Sequence, residues 1–260
     1  MTRSTRLIAA FFFWAFALYL FLPLMVMIAM SFKDSNFIGF PIRSWTAGWY
    51  AEAWRDGDFI GATGYSMVIA VVSTAISMVM GTWLAVLLTE RKFWGRGIVF
   101  LFTMLPAVVP GIISAISFRI YIRILDMEPG MAAIIFGHAV HNVPFVALVV
   151  ASRLRTMPKS HVEAAQDLGA DPFVAFMRVT LPFLQPALIG GGIFCMLLSF
   201  DDFIRSFFLG GYDPTLPVLL FSKLRSGMSP EISAIATVVL LVTAMLGLWA
   251  ERRMRRLERG

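Results

Sequence analysis

Two adjacent carboxylates, Asp201 and Asp202, close one apolar run, and two histidines, His138 and His141, stand three residues apart in another. A carboxylate inside a membrane span costs roughly 2.5–3.5 kcal/mol on insertion scales, so it faces a cavity or a partner. Asp201 and Asp202 are therefore candidates for a cation station near the external half of a path. Successive helical residues point about 100° apart, so at most one of them faces that path squarely. The other is available to pair with Arg205 or to cap the helix end. His138 and His141 have the spacing for a shared metal but no third ligand nearby, which favours a packed or hydrogen-bonded pair. No GxSG-like motif accompanies them, so an intramembrane hydrolase lacks its nucleophile. Cys195, the one cysteine, lies in an apolar run and supports neither a disulfide framework nor a cysteine metal site.

A third polar group is the segment HVEAAQDLGADP, residues 161–172. Ser160 and Glu163 have capping-box spacing, with the serine hydroxyl taking the Glu163 N–H and the carboxylate reaching back. Ala164 and Ala165 continue that helix, and Gly169 can end it in a left-handed conformation. Asp171 then caps a second helix with Pro172 at its first position, where a missing N–H costs little. The second helix runs FVAFMRV, and Leu181 and Pro182 lead onward into the next apolar run.

The elements that carry these groups are spans. The chain of 260 residues is 58% hydrophobic and only 15% charged, with mean hydropathy +0.78. Soluble domains run at about 25% charged, so this is membrane composition. Six segments supply the roughly 20 apolar residues needed to cross the bilayer, near 7–32, 63–88, 97–123, 131–152, 182–203 and 231–250. The first is too long for a signal-peptide core and no small-residue cleavage site follows it, so it is expected to remain as an anchor. Within the spans, Pro106, Pro110, Gly111 and Pro144 are expected to break or kink helices; the freed carbonyls either line a path or belong to tolerated bends.

The net charge of +6 does not point to nucleic acid, because the basic residues gather at the ends of apolar runs. Fourteen of the 22 Lys and Arg fall on the side of the termini, including Arg91, Lys92, Arg96, Arg153 and Arg155. The positive-inside rule makes both termini and the stretch 153–181 cytoplasmic. Outside, WTAGWYAEAW (45–54) reads as a short helix at the interface, where Trp and Tyr rings are favoured. Neither a fixed-period repeat nor a low-complexity linker is visible, so residues 1–260 read as one transmembrane domain.

EAAQDLGADPFVAFMRVTLP resembles the cytoplasmic EAA loop of permease subunits of bacterial ABC importers, a pattern of Glu-Ala-Ala, three residues, Gly, nine residues and Ile-x-Leu-Pro. Glu163, Ala164, Ala165, Gly169, Leu181 and Pro182 match it, and Val179 stands where the pattern prefers Ile. Residues 199–241 are further similar to the polyamine (spermidine/putrescine) permeases, in Ser199–Asp202, Thr215–Pro217 and Ser229–Ala234. LPAVVPGIISAISF and GHAVHNVPFV resemble that group's third and fourth spans. The resemblance implies an all-α type I importer (MetI-like) fold of six spans with cytoplasmic coupling helices. It also implies a non-catalytic subunit forming half of a path in the bacterial inner membrane. Its implied partners are an ABC ATPase dimer, a second permease in a heterodimer and an external binding protein.

The residues suit such a role. A loop docking into a cleft on a soluble ATPase should be short and small-faced, as Ala164, Ala165 and Gly169 allow, with Glu163 as a charged contact. A polyamine needs carboxylates at intervals and aromatic faces for cation–π contact. No GxxxxGKS/T phosphate loop occurs, so the chain is expected to bind no cofactor, with ATP and Mg held by the partner ATPase subunits. Other cationic cargoes, such as an opine, a choline-like amine or a thiamine-type compound, fit the same frame. A secondary transporter would call for inverted repeats, of which the sequence has no sign.

Overall fold

The computed structural model describes residues 3–35, 39, 41–227 and 229–257. Arg259 of the basic tail and positions 36–38 and 40 of the loop after the first helix lie outside the described residues. The described chain is helical throughout, in the order α1 (Arg3–Met30), α2 (Gly48–Ala53), α3 (Gly57–Glu90), α4 (Arg96–Val108), α5 (Gly111–Ile124), α6 (Met131–Arg155), α7 (Lys159–Asp167), α8 (Pro172–Ala175), α9 (Leu181–Phe200), α10 (Phe203–Leu209), α11 (Leu216–Ser226) and α12 (Pro230–Leu257). Among the described residues, five helical stretches are long and apolar enough to cross a membrane: Thr5–Met30, Gly57–Glu90, Met131–Arg155, Pro172–Phe200 and Pro230–Trp249. Counting α4 and α5 as one interrupted span makes six.

That interruption falls where Pro106, Pro110 and Gly111 were expected to break or kink the span over 97–123, and it is a full break rather than a gentle bend. α4 and α5 meet at 108°. Pro110 has no N–H to give the Pro106 carbonyl, and a residue before proline is pushed out of helical geometry. Val109 accordingly has ψ 130°, and α5 restarts at Gly111. A correction concerns the fifth span, which begins at Pro172 and runs unbroken to Phe200. Pro182 would clash with the carbonyl four residues earlier in an unmodified α-helix, and a π-helical turn over Phe176–Thr180 takes up the misfit.

The chain forms two compact units, residues 1–60 with 220–244 and residues 61–219 with 245–260. In the first, the Tyr50 hydroxyl meets Ser31 Oγ at 2.6 Å, and Trp49 Nε1 donates to the Lys33 carbonyl at 2.8 Å. The short helix expected within 45–54 is present as α2, with Trp45 and Trp54 exposed on either side of it. Lys223 is clasped between Asp56 and Glu231, the latter at 3.3 Å in the first turn of α12.

In the second unit α6 is the central helix, packed by α4, α9 and α10. One buried cluster joins Ala85, Val146, Val150, Leu154, Leu184 and Cys195, and another joins Ile69, Ile122, Ala133, Ile134 and Leu209. Small residues set the spacing. A Cβ on Gly81 would lie 2.6 Å from Val146 Cβ, and one on Gly137 would lie 2.5 Å from Leu209 Cδ1. Lipid offers no hydrophobic gain for helix association, so such close approaches supply the packing energy.

Candidate functional site

The helix–turn–helix between α6 and α9 follows from its local sequence. α7 ends at Leu168 in a Schellman motif: the Ala170 N–H donates to the Ala165 carbonyl at 3.0 Å and the Gly169 N–H to that of Gln166 at 2.8 Å. Gly169 has φ +88°, which a side chain would resist. Asp171 Oδ1 accepts from the N–H groups of Phe173 and Val174, both at 2.9 Å, with Pro172 at the first helical position. The expected capping box is absent. α7 starts two residues early, at Lys159, with Pro158 rather than Ser160 as its N-cap and no side-chain cap. Ser160 thus lies inside the first turn, where its hydroxyl cannot reach the Glu163 N–H as an N-cap would.

With no capping duty, Glu163 projects into solvent beside an exposed Ala164. Gly169 is exposed at the turn, and Leu181 and Pro182 sit at the base of the loop, where α9 begins. Two residues that the sequence reading left aside join them: Leu168 is 91% exposed and Phe173 is 72% exposed. Their signal was available, since each is a large apolar side chain in or beside the polar segment 161–172. A rigid turn with apolar side chains held in water has the character of a docking surface. The loop is anchored below by Arg153, whose guanidinium carbon stands 4.3 Å from the centre of the Phe183 ring and whose Nε donates to the Phe183 carbonyl at 3.3 Å.

The second site is a polar cluster in the interior of the same unit. Asp202 N-caps α10, its Oδ1 accepting from the Arg205 N–H at 2.9 Å, and its other oxygen pairs with the Arg205 guanidinium. Both side chains are more than nine-tenths buried. Arg205 Nη2 lies 2.9 Å from His141 Nδ1, which also lies 3.2 Å from the Pro106 carbonyl. That carbonyl is the one Pro110 leaves without a helical donor. The two contacts of Nδ1 are alternatives, because one ring nitrogen either accepts from the guanidinium or donates to the carbonyl. His138 Nδ1 meets Ser199 Oγ at 2.7 Å, Ser199 meets Ser73 at 2.9 Å, and His138 Nε2 reaches Ser206 Oγ at 3.4 Å.

This cluster gathers α3, α6, α9 and α10 around one charged pair and reaches the break between α4 and α5. It separates the adjacent carboxylates. Asp202 is consumed by its cap and its arginine, whereas Asp201, at the C-terminal cap of α9, is exposed. Pro106 enters through its carbonyl, and Pro110 is exposed at the break. The histidines are hydrogen-bonded within the cluster.

Comparison with known proteins agrees with this architecture. Residues 77–260 match the family described as "Binding-protein-dependent transport system inner membrane component". The chain is 35% identical to the putrescine transport system permease protein PotI of Escherichia coli (strain K12), over 93% of this chain and 88% of that protein. It is 31% identical to the spermidine/putrescine transport system permease protein PotC of the same organism, over 93% and 91%. A chain of the bacterial ABC transporter involved in alginate import superposes with TM-score 0.74 at 19% identity, covering 97% of this chain and 98% of that one. A chain of the inward-facing MetNI methionine ABC transporter gives 0.64 at 18%, covering 76% and 95%. With a family model spanning most of its length and relatives above 30% identity across nearly all of it, this chain belongs to the inner-membrane permease components of binding-protein-dependent ABC transporters.

Proposed function

We propose that the chain is the permease subunit of a polyamine importer, contributing half of a transmembrane path for spermidine or putrescine. The observation that carries the cargo is the identity above 30% to two permeases that bear those substrates in their names. The chain itself performs no catalysis; ATP is hydrolysed with Mg in separate ATPase subunits that dock on α7 and the turn after it. Glu163, Ala164, Ala165 and Gly169 form the contact, Leu168 and Phe173 add apolar area, and Leu181 and Pro182 pass the movement into α9. A second, distinct permease completes the path, and an external binding protein delivers the cargo. Asp201 is the cation station, since Asp202 is neutralised by Arg205. Both termini are cytoplasmic, by the distribution of basic residues.

The test is ATP-dependent uptake of labelled spermidine and putrescine into cells with and without this gene, the other importer subunits being present. Loss of uptake on deletion is the expected result, and competition between the labels ranks the cargo. Unchanged uptake refutes the polyamine assignment and redirects attention to other organic cations. Coupling is tested separately by Glu163→Arg, which is expected to abolish uptake at wild-type levels of inserted protein. Retained uptake at that level would place the ATPase contact elsewhere.

A further inference from the structure

The second unit carries a groove of ≈ 540 Å³ between α3, α4 and α6 that neither the coupling loop nor the buried ion pair uses. Its walls include Leu88, Phe100, Met104 and Leu148, and its mouth holds Arg96 and Arg155. The order matters. Arg96 opens α4 and Arg155 closes α6, so both cations sit at the same end of the groove. Phe100 and Met104 lie one and two turns deeper along α4.

Three features of the mouth favour an anion. Neither Arg96 nor Arg155 has a carboxylate partner among the described residues. Gly95, the N-cap of α4, offers no side-chain acceptor, and Gly97 itself lines the groove. The N-terminal end of a helix attracts negative charge. Glu90, the nearest acid in sequence, is not among the lining residues. Meanwhile Trp94, 96% exposed just before α4, marks the level of the membrane interface.

A cationic mouth at interface depth over an apolar trough matches a single anionic phospholipid, phosphate first and acyl chain beneath. We propose that this groove binds an anionic phospholipid, its phosphate held between Arg96 and Arg155 and one acyl chain lying along Phe100 and Met104. Basic pockets between transmembrane helices bind such headgroups, with about 1 kcal/mol per basic residue near the surface. A soluble anion would have no use for the trough, and an acidic protein segment would not need it to be apolar. The inference is independent of the cargo assignment.

The experiment is native mass spectrometry of the full chain in neutral detergent, titrated with dioleoyl phosphatidylglycerol or dioleoyl phosphatidylcholine. The wild type is expected to hold one phosphatidylglycerol in preference to phosphatidylcholine. Arg96→Gln with Arg155→Gln should weaken that adduct by about thirtyfold, two charges at tenfold per 1.4 kcal/mol. Arg91→Gln with Lys92→Gln removes equal charge outside the groove and should leave the adduct within about twofold. Ala151→Phe keeps both arginines but fills the trough, and should also lose the lipid. Should the glutamine double variant prove poorly folded, the paired Arg→Lys variant, expected to retain the preference, replaces it. Equal binding of both lipids, or equal loss in both charge variants, overturns the proposal. So does an adduct that survives Ala151→Phe, displacement by an equal concentration of glycerol 3-phosphate, or displacement by the ATPase subunits.

Discussion

The buried pair of Asp202 and Arg205 makes the sharpest energetic prediction. Replacing Asp202 by Asn keeps an oxygen that can accept the Arg205 N–H, so the cap of α10, worth about 1 kcal/mol, is preserved. What is lost is the counter-charge to a guanidinium whose side chain is 7% exposed. Removing one member of a buried pair costs about 3–5 kcal/mol, because the survivor stays buried and uncompensated. Arg205 cannot shed its proton to relieve the strain. Its Nε already lacks a hydrogen-bond partner among the described residues. Adding Arg205→Met to Asp202→Asn removes the orphan charge and leaves an apolar side chain of similar length. The double variant should then recover to within about 1–2 kcal/mol of wild type. Part of the remaining deficit is the lost donor to His141, whose Nδ1 then has the Pro106 carbonyl as its sole partner.

The assay is unfolding of the purified chain in mixed micelles as the denaturing detergent fraction rises, run on wild type, both single variants and the double. The expected outcome is a double variant about 1–4 kcal/mol more stable than Asp202→Asn alone, so that its cost falls well short of the sum of the two single costs. If Asp202→Asn is as stable as wild type, or the two substitutions merely add, the pair is not desolvated and the reasoning fails. Uptake on the same four proteins gives a second reading. Recovered stability with recovered uptake makes the pair structural, whereas recovered stability without uptake gives the pair a role in transport beyond holding the fold.

Three further outcomes are expected. Asp201→Asn should lower polyamine uptake with little effect on unfolding, while Asp201→Glu retains most of it; a comparable loss of stability would make Asp201 structural instead. Gly81→Val should destabilise by about 1–3 kcal/mol or more, since its Cβ would press on Val146 Cβ, and Val146→Gly, which removes that atom where alanine would keep it, should partly rescue it in the same unfolding assay. The Lys223 clasp gives a pH dependence: its hydrogen bond holds the Asp56 carboxyl below the usual 3.8, against desolvation. Burial would lower Lys223, but its bond to Asp56 and the charge of Glu231 hold it above 10.5. A depressed acid stabilises above its unfolded pKa and loses that contribution as pH falls through the folded one; a raised base loses its contribution as pH rises through its folded pKa. The stability gap between wild type and Lys223→Met should therefore be flat from about pH 5 to about pH 9 and close at both extremes.

How much of this was legible in sequence depended on the range of the interaction. The turn at Gly169 and the cap at Asp171 were readable because their causes lie within a few residues: a left-handed φ needs glycine, and a carboxylate beside Pro172 finds free amides. The spans were readable because hydrocarbon demands length and apolarity. The break at Pro110 was anticipated as a kink, but its 108° angle was not, since a missing N–H ends a helix without saying where the next one goes. The capping box failed by two residues, because Pro158 starts a helix as well as Ser160 can. The interior cluster depended on distant partners. Its histidines and serines come from α3, α6, α9 and α10, and nothing local tells Asp202 from Asp201 except their phase at the end of α9. One residue further along, the carboxylate caps α10 and meets Arg205; one residue earlier, it remains open. If Asp201 is the station, a single step of helical phase has divided two identical side chains into a stabilising counter-ion and a group free to meet a passing cation.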